Sequence, residues 1–196
     1  MITFTHTKLI VSDQSGDVSL EPIVMSGLVL DIDQLRTLAP SHSVRRASEL
    51  SVTPAPGPEG VDIDPEDPVA YEVFEWTTGA APTDLLCAVT VLYAGPDPAQ
   101  PFHTRGHFHR DPDGGEVVVG LQGNGRLDLL SRAGEVRQIA LGTLIWAPVP
   151  PGWAHRVTNL GPAPLVFLST CSVAVGHDYA NLPKESWVAI SERGDR

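Results

Sequence analysis

Two short segments of the chain combine residue types that bind metal ions. The first contains His107 and His109, followed by Glu116, and the second contains His155 just after a Pro-Pro-Gly bend. Histidines at positions i and i+2 of a strand point to the same side, so the first pair can hold one ion. The acidic turn at 111–115 predicts a hairpin whose second strand brings Glu116 to the same ion. A set of imidazoles and one carboxylate is typical of a catalytic metal site.

The bulk properties restrict the classes of protein to consider. A length of 196 residues predicts one core domain with an N-terminal extension. The formal net charge of -11 argues against a nucleic-acid partner, because the phosphate backbone requires clustered lysine and arginine. No apolar run approaches a membrane span, and the N-terminus shows no secretion signal, so we expect a cytoplasmic protein. Cys87 and Cys171 are expected to be buried free thiols, although one bridge between them stays open.

The pattern of the chain predicts many short strands joined by turns. Eighteen glycines and eighteen prolines interrupt it, and apolar residues alternate along most of the segments after position 70. Helices are expected only at 31–38 and 44–50, and residues 51–68 are expected to form an acidic loop rich in proline and glycine. We expect hairpin turns at 123–125 and 132–134 and strands at 70–77, 85–94, 103–109, 116–121, 125–131, 134–140, 143–147, 154–160 and 164–175. This pattern predicts an all-β, antiparallel double-sheet barrel of the jelly-roll kind.

The two metal-binding segments resemble the two sequence motifs of the cupin superfamily. A longer pattern is similar to the cupin-type phosphoglucose isomerases: Thr104-x-Gly106-His107-Phe108-His109, Glu116, a step of 39 residues to His155, and Gly176-His177-Asp178-Tyr179. The resemblance implies a cupin double-stranded β-helix, the jelly-roll barrel, over residues 68–180. It leaves 1–67 as an extension with a short helix and 181–196 as a C-terminal tail.

The resemblance also implies site residues and partners. His107, His109, Glu116 and His155 would bind one divalent ion, which could be Fe²⁺, Mn²⁺, Ni²⁺ or Zn²⁺. The substrate would be a sugar phosphate, with glucose 6-phosphate and fructose 6-phosphate interconverted by a homodimer. The substrate-binding residues would be Tyr71, Thr90, Thr104, Gly106 and Tyr179, with Thr104 and Gly106 near the phosphate. The N-terminal extension is expected to cover a sheet edge or a partner subunit.

The predicted reaction moves a hydrogen between the first two carbons of the sugar. A divalent ion bound to their oxygens would stabilise the negative charge that develops there. Glu116 could accept the proton from C2 and return it at C1, or the hydrogen could move as a hydride. His177 is expected to shuttle protons during ring opening, and its alternative role is that of a structural histidine on the last strand.

Three departures from the family pattern leave the substrate open. Val118 stands where the family usually has a tyrosine, and Gly114 and Gly152 also replace aromatic positions. The loss of these hydroxyls predicts a roomier and less polar pocket. A different, less polar substrate is therefore an alternative, as is a metal-dependent cupin dioxygenase. A non-catalytic sugar-binding or storage-like cupin is a third hypothesis, and the intact ligand set argues against it.

Five further residues have open assignments. Trp146 and Trp153 are most simply interpreted as core or pocket-wall aromatics. His42 and His103 lack a partner at tight ligand spacing, although the first strand of the predicted hairpin can bring His103 to the site. Arg105 lies between the two predicted phosphate contacts and can point either into the site or outward.

Overall fold

The computed structural model describes residues 32–50 and 67–182. In chain order the elements are α1 (Ile32–Leu38), β1 (Ser41–Arg46), a 3₁₀ turn (Ala47–Leu50), β2 (Val69–Thr77), β3 (Leu85–Leu92), β4 (Phe108–His109), β5 (Glu116–Gln122), β6 (Gly125–Ser131), β7 (Val136–Leu141), β8 (Trp146–Val149), β9 (Trp153–Asn159), β10 (Leu165–Ser172) and β11 (His177–Asp178). The prediction of an all-β cupin-type fold is confirmed.

The strands form three antiparallel sheets. The large sheet has the order β1-β2-β3-β10-β5-β8, a second sheet has the order β7-β6-β9, and β4 pairs with β11 alone. Neighbours in a sheet are often distant in sequence, as in the pairing of β10 with both β3 and β5. Such crossing connections between two sheets are the arrangement of a jelly roll.

Apolar side chains from the two larger sheets form the core. Leu127, Leu129 and Val157 are buried on the three-stranded sheet, and Phe167 and Val118 are buried on the large sheet. A polar contact also joins the two sheets. The buried amide of Asn159, at the end of β9, donates to the carbonyl of Leu92 on β3 at 3.0 Å.

Most predicted strands occur within a few residues of their expected bounds, and two predictions are wrong. Residues 44–50 were expected to be helical, but 41–46 form β1 and only 47–50 make a 3₁₀ turn. The β-branched Val44 and its neighbours pair with β2, so tertiary pairing outweighs a weak helical pattern. The expected strand at 103–109 shrinks to Phe108–His109, with isolated bridges at His103 and His107.

Three turns were expected to close hairpins, and one does. Gly134 has a φ of 84°, which suits the tight turn between the paired strands β6 and β7. The turn at 123–125 instead carries the chain from the large sheet to the three-stranded sheet, because β5 and β6 do not pair. The hairpin predicted around residues 111–115 is also wrong, because β4 and β5 belong to different sheets.

Several other expectations concern side chains or segments. Trp146 is 71% exposed, so its assignment to the core or a pocket wall is wrong. Cys87 and Cys171 are half-buried free thiols. In the part of the chain that the structure describes, no helix has the length and apolarity needed to span a membrane. Three segments lie outside the described residues: 1–31, 51–66 and 183–196. They include most of the expected extension, most of the expected acidic loop and nearly all of the expected tail.

Candidate metal centre

Four side chains meet at one point inside the barrel, and we call them the ligand cluster: His107, His109, Glu116 and His155. Their ligand atoms all lie within 4.8 Å of one another. His109 and His155 are buried, and the other two are partly buried. Three imidazoles and one carboxylate at this separation can hold a divalent ion such as Fe²⁺, Mn²⁺, Ni²⁺ or Zn²⁺.

Different sheets supply the members of the ligand cluster. His109 lies on β4, Glu116 is the first residue of β5 in the large sheet, and His155 lies on β9. His107 precedes β4 and exchanges two main-chain hydrogen bonds with His155, at 3.2 and 3.0 Å. The bend before β9 includes Gly152, whose φ of 77° lets the chain turn sharply into the strand that carries His155. The cluster therefore forms only where all three sheets meet.

One carboxylate oxygen contacts two of the imidazoles. The Oε2 atom of Glu116 lies 3.1 Å from Nε2 of His109 and 3.2 Å from Nε2 of His155. Burial alone would raise the pKa of Glu116, but the facing His155 and the hydrogen bonds from both imidazoles lower it well below its usual range. The carboxylate is therefore ionised, as a metal ligand must be.

The remaining ring nitrogens show how well this cluster fits a metal. Nδ1 of His109 donates to the carbonyl of Gly114 at 2.8 Å, which turns its Nε2 toward Glu116. A second hydrogen bond of this kind is the usual way to orient a metal-binding imidazole. Burial, with His155 and His177 nearby, lowers the pKa of His107 well below its usual value, so its ring is neutral. Neutral imidazole is the form that binds metals, and the residues present fit a divalent ion.

Two further aromatic rings lie against the ligand cluster. The His177 ring is 4.4 Å from the His107 ring, and the Tyr179 ring is 5.4 Å from it, centroid to centroid. The rings of His177 and Tyr179 stack on each other at 5.7 Å. Burial lowers the pKa of His177, although Glu116 acts in the opposite direction. Both rings therefore lie beside the ligand cluster.

Two predicted substrate-binding residues present hydroxyl groups whose oxygens already accept main-chain hydrogen bonds. The oxygen of Tyr71 accepts from the N–H of Arg105 at 3.3 Å, and Oγ1 of Thr104 accepts from the N–H of Val157 at 2.9 Å. Each hydroxyl can therefore donate its own proton to a ligand. In the sequence, Gly106 lies between Thr104 and His107, the first member of the ligand cluster.

Thr90 is the predicted substrate-binding residue with the least direct link to the cluster. It is buried on β3, opposite Val73 on β2 and Phe167 on β10. None of the hydrogen bonds between described side chains joins it to a member of the ligand cluster. Its assignment stays a prediction.

Sequence reasoning left the orientation of one residue open and missed one pairing. The Arg105 guanidinium lies over the ring of Tyr179 at 4.0 Å, which places it beside the site. His42 contacts the buried carboxylate of Glu72 at 2.8 Å, 30 positions away in sequence, so no spacing rule could have found it. His103 is not part of the ligand cluster, and its Nδ1 donates a hydrogen bond to the carbonyl of the adjacent Thr104.

The chain matches a family model described as glucose-6-phosphate isomerase over residues 59–192. A protein named glucose-6-phosphate isomerase from Thermococcus kodakarensis is 36% identical over 170 residues, which are 85% of this chain and 90% of the relative. A relative of the same name from Pyrococcus horikoshii is 39% identical over 137 residues, covering 68% of this chain and 71% of the relative. A relative of the same name from Sinorhizobium medicae is 37% identical over 124 residues, which are 63% of this chain and 58% of the relative.

Solved structures with similar folds are more distant in sequence. An oxalate oxidase in complex with glycolate has a TM-score of 0.47 and 13% identity, covering 57% of this chain and 55% of the other. The oxalate decarboxylase of Lactobacillus farciminis has a TM-score of 0.46 and 19% identity, covering 61% of this chain and 33% of the other.

Proposed function

The chain belongs to the glucose-6-phosphate isomerase family, and we propose that it interconverts glucose 6-phosphate and fructose 6-phosphate at a divalent ion held by the ligand cluster. The observation that carries this proposal is the convergence of the four ligand atoms within 4.8 Å, beside His177 and Tyr179. When bound, the ion would polarise the oxygens on the first two carbons of the sugar.

Glu116 is the residue that we assign to hydrogen transfer. Both imidazole contacts use its Oε2 atom, so Oε1 takes no part in either of them. In the proton-transfer route, Oε1 takes the proton from C2 and returns it to C1. Because the pKa of this carboxylate is held low, it is a weak base, and a bound ion would make the C2 hydrogen more acidic. The alternative is a hydride shift, in which Glu116 acts only as a ligand.

His177 is assigned to ring opening. Its burial lowers its pKa, so the imidazole is neutral near pH 7 and can accept a proton from a sugar hydroxyl. The ring contacts His107 but is not a member of the ligand cluster, which leaves its nitrogens available to the substrate. Tyr179, stacked on it, would limit where the sugar ring can lie.

The test is turnover of fructose 6-phosphate by protein that has been stripped of metal and then reloaded. Separate samples receive Fe²⁺, Mn²⁺, Ni²⁺ or Zn²⁺, and glucose 6-phosphate is measured with a coupled assay. Glu116→Gln should abolish the activity, whereas Glu135→Gln, a control at an exposed carboxylate paired with Arg137, should retain it. Running the reaction in D₂O separates the two routes, since only proton transfer brings deuterium to C2 of the glucose 6-phosphate that is formed.

The result that would contradict this function is a protein that binds metal stoichiometrically and converts no hexose phosphate with any of the four ions. Oxygen uptake by the loaded protein with an organic substrate would then favour the dioxygenase alternative. Turnover of another sugar phosphate would support isomerase activity and show that the substrate is not glucose 6-phosphate.

The same proposal includes a homodimer and a cytoplasmic location. β1 lies at one edge of the large sheet, and a strand at an edge has main-chain groups that can pair with a second copy. Sedimentation of the full chain measures the oligomeric state directly. Deletion of residues 1–50 should give a monomeric or insoluble product, and a fully soluble dimer would contradict the role of the extension.

A further inference from the structure

We infer that Glu75, on β2, accepts a hydrogen bond from a hydroxyl group of the substrate and is a specificity-determining residue of the site. This inference rests on the proposed function, because it requires a polyhydroxylated chain bound beside the ligand cluster. The contact concerns the uncharged middle of that chain and not its phosphate group.

Glu75 lies on the face of the large sheet that carries Glu116. It is opposite Ala88 on β3, and Ala88 is opposite Ser169 on β10. Ser169 is in turn opposite Val118 on β5, two residues after Glu116. Residues that are opposite each other, or two apart in one strand, have side chains on the same face of a sheet. The side chain of Glu75 therefore points to the same side as the carboxylate of the ligand cluster.

The row of residues that contains Glu75 has small side chains at its centre. Ala88 and Ser169 are the two residues between Glu75 and Val118 in this row, and their side chains end at Cβ and Oγ. A glutamate side chain extends about 5 Å from its Cα at ordinary bond lengths. The carboxylate therefore reaches further into the interior than its neighbours in the row. Val118 supplies no polar group at the other end, so the charged acceptor of this row is Glu75.

The charge of Glu75 acts on the two rings that flank the ligand cluster. Burial lowers the pKa of His177, and the charges of Glu116 and Glu75 oppose this effect. Burial raises the pKa of Tyr179, and Glu75 adds to the increase. Because the interaction between charges falls with distance, the carboxylate must lie close to both rings. The His177 ring is 4.4 Å from the ring of His107, so Glu75 and the ligand cluster border the same space.

One oxygen of the Glu75 carboxylate is available to a ligand. Its Oε2 atom accepts a hydrogen bond from Oγ of Ser41, on the edge strand β1, at 3.2 Å. Among the residues that the structure describes, none donates a hydrogen bond to Oε1, and no lysine or arginine forms an ion pair with this half-buried group.

The chemistry of a carboxylate selects the part of the substrate that it binds. An ionised carboxylate accepts hydrogen bonds and has none to donate, so it matches a hydroxyl group. The same negative charge repels a phosphate. A hexose phosphate has several hydroxyls between its first two carbons and its phosphate, and one of these is the partner that we assign to Oε1.

The experiment measures the binding of glucitol 6-phosphate, an open-chain alcohol that an aldose-ketose isomerase cannot convert. The full chain is titrated in a calorimeter, both metal-free and loaded with Mn²⁺. Glu75→Ala should raise the dissociation constant about 10- to 100-fold, because a hydrogen bond to a charged group is lost. Glu75→Gln keeps the shape and one oxygen acceptor, so it should weaken binding less. Neither variant should weaken the binding of inorganic phosphate.

Two comparisons separate a contact with substrate from a structural role. Ser41→Ala is the matched control, because it removes the hydroxyl that contacts Oε2 and keeps the carboxylate, and its dissociation constant should stay within about twofold of the parent. Analogues of glucitol 6-phosphate that lack the hydroxyl at C3, C4 or C5 identify the partner. One of them should bind the parent and Glu75→Ala equally well.

Three outcomes would overturn the inference. The first is a dissociation constant for Glu75→Ala within about twofold of the parent. The second is an equal loss of affinity in Ser41→Ala, which would mean that Glu75 acts only by holding β1. The third is a parent protein that binds no glucitol 6-phosphate. If the parent binds this alcohol more tightly than Glu75→Ala does and isomerises no hexose phosphate, the proposed function fails and the hydroxyl contact is supported.

Discussion

Replacement of Glu116 by glutamine should remove most of the metal affinity while keeping the shape of the side chain. The carboxylate is buried, ionised, and within 3.2 Å of both His109 and His155 through one oxygen. Loss of an outer hydrogen-bond partner of a metal site costs about 10- to 100-fold in affinity, so loss of a charged ligand should cost at least about 100-fold. That factor corresponds to about 2.7 kcal/mol.

The expected effect on thermal stability follows from mass action. At an ion concentration about 100 times the dissociation constant, the parent gains about 2.7 kcal/mol, which raises its Tm by roughly 5–11 °C for a chain of this size. At the same concentration, Glu116→Gln should gain about 0.4 kcal/mol and roughly 1–2 °C. Each protein is compared with its own metal-free form by calorimetry, and Glu135→Gln should behave like the parent. A dissociation constant for Glu116→Gln within about threefold of the parent value would refute the role of this carboxylate as a ligand.

Three other perturbations test the fold around the site. Asn159→Ala loses the amide that donates to the Leu92 carbonyl, and we expect the free energy of unfolding, measured by urea denaturation, to fall by about 2–4 kcal/mol. A fall below about 0.5 kcal/mol would contradict a stabilising role for this contact between the sheets. Tyr93→Phe removes a 2.6 Å hydrogen bond to the buried Glu72 carboxylate and should cost about 1.5–3 kcal/mol, measured in the same way. Burial, with Glu116 nearby, raises the pKa of the Cys171 thiol to about 12, so iodoacetamide at pH 8 should modify it about 10³-fold more slowly in the native than in the unfolded chain; equal rates would exclude this environment.

The strands could be predicted from local pattern, and their partners could not. The bounds of β5, β6 and β9 follow from alternating apolar residues and from turn residues at their ends. The partner of a strand depends on residues far along the chain, as for β10, which pairs with β3 and β5 at once. This is why the sequence indicated one hairpin for three ligands, whereas the structure divides them between sheets.

The members of the ligand cluster could be predicted from the sequence because they lie in two short motifs, each with fixed spacing. His107 and His109 are two positions apart, and Gly152 marks the bend that leads to His155. The contact of Arg105 with Tyr179 joins residues 74 positions apart, and no local rule predicts it. The exposure of Trp146 was also unpredictable, because a tryptophan on an edge strand has the same local pattern as one in a core.

The main-chain bridge between His107 and His155 has a consequence for how the proposed site would acquire an ion. These residues exchange hydrogen bonds through their backbones, so the spacing of two ligands is fixed by the fold before any ion arrives. At the proposed site, one ion would therefore be exchanged for another without unfolding of the chain. Since imidazole and carboxylate ligands accept several first-row metals, the ion that occupies the site will follow the supply in the surroundings. Protein produced in media with different metals should be the same polypeptide with different catalytic rates.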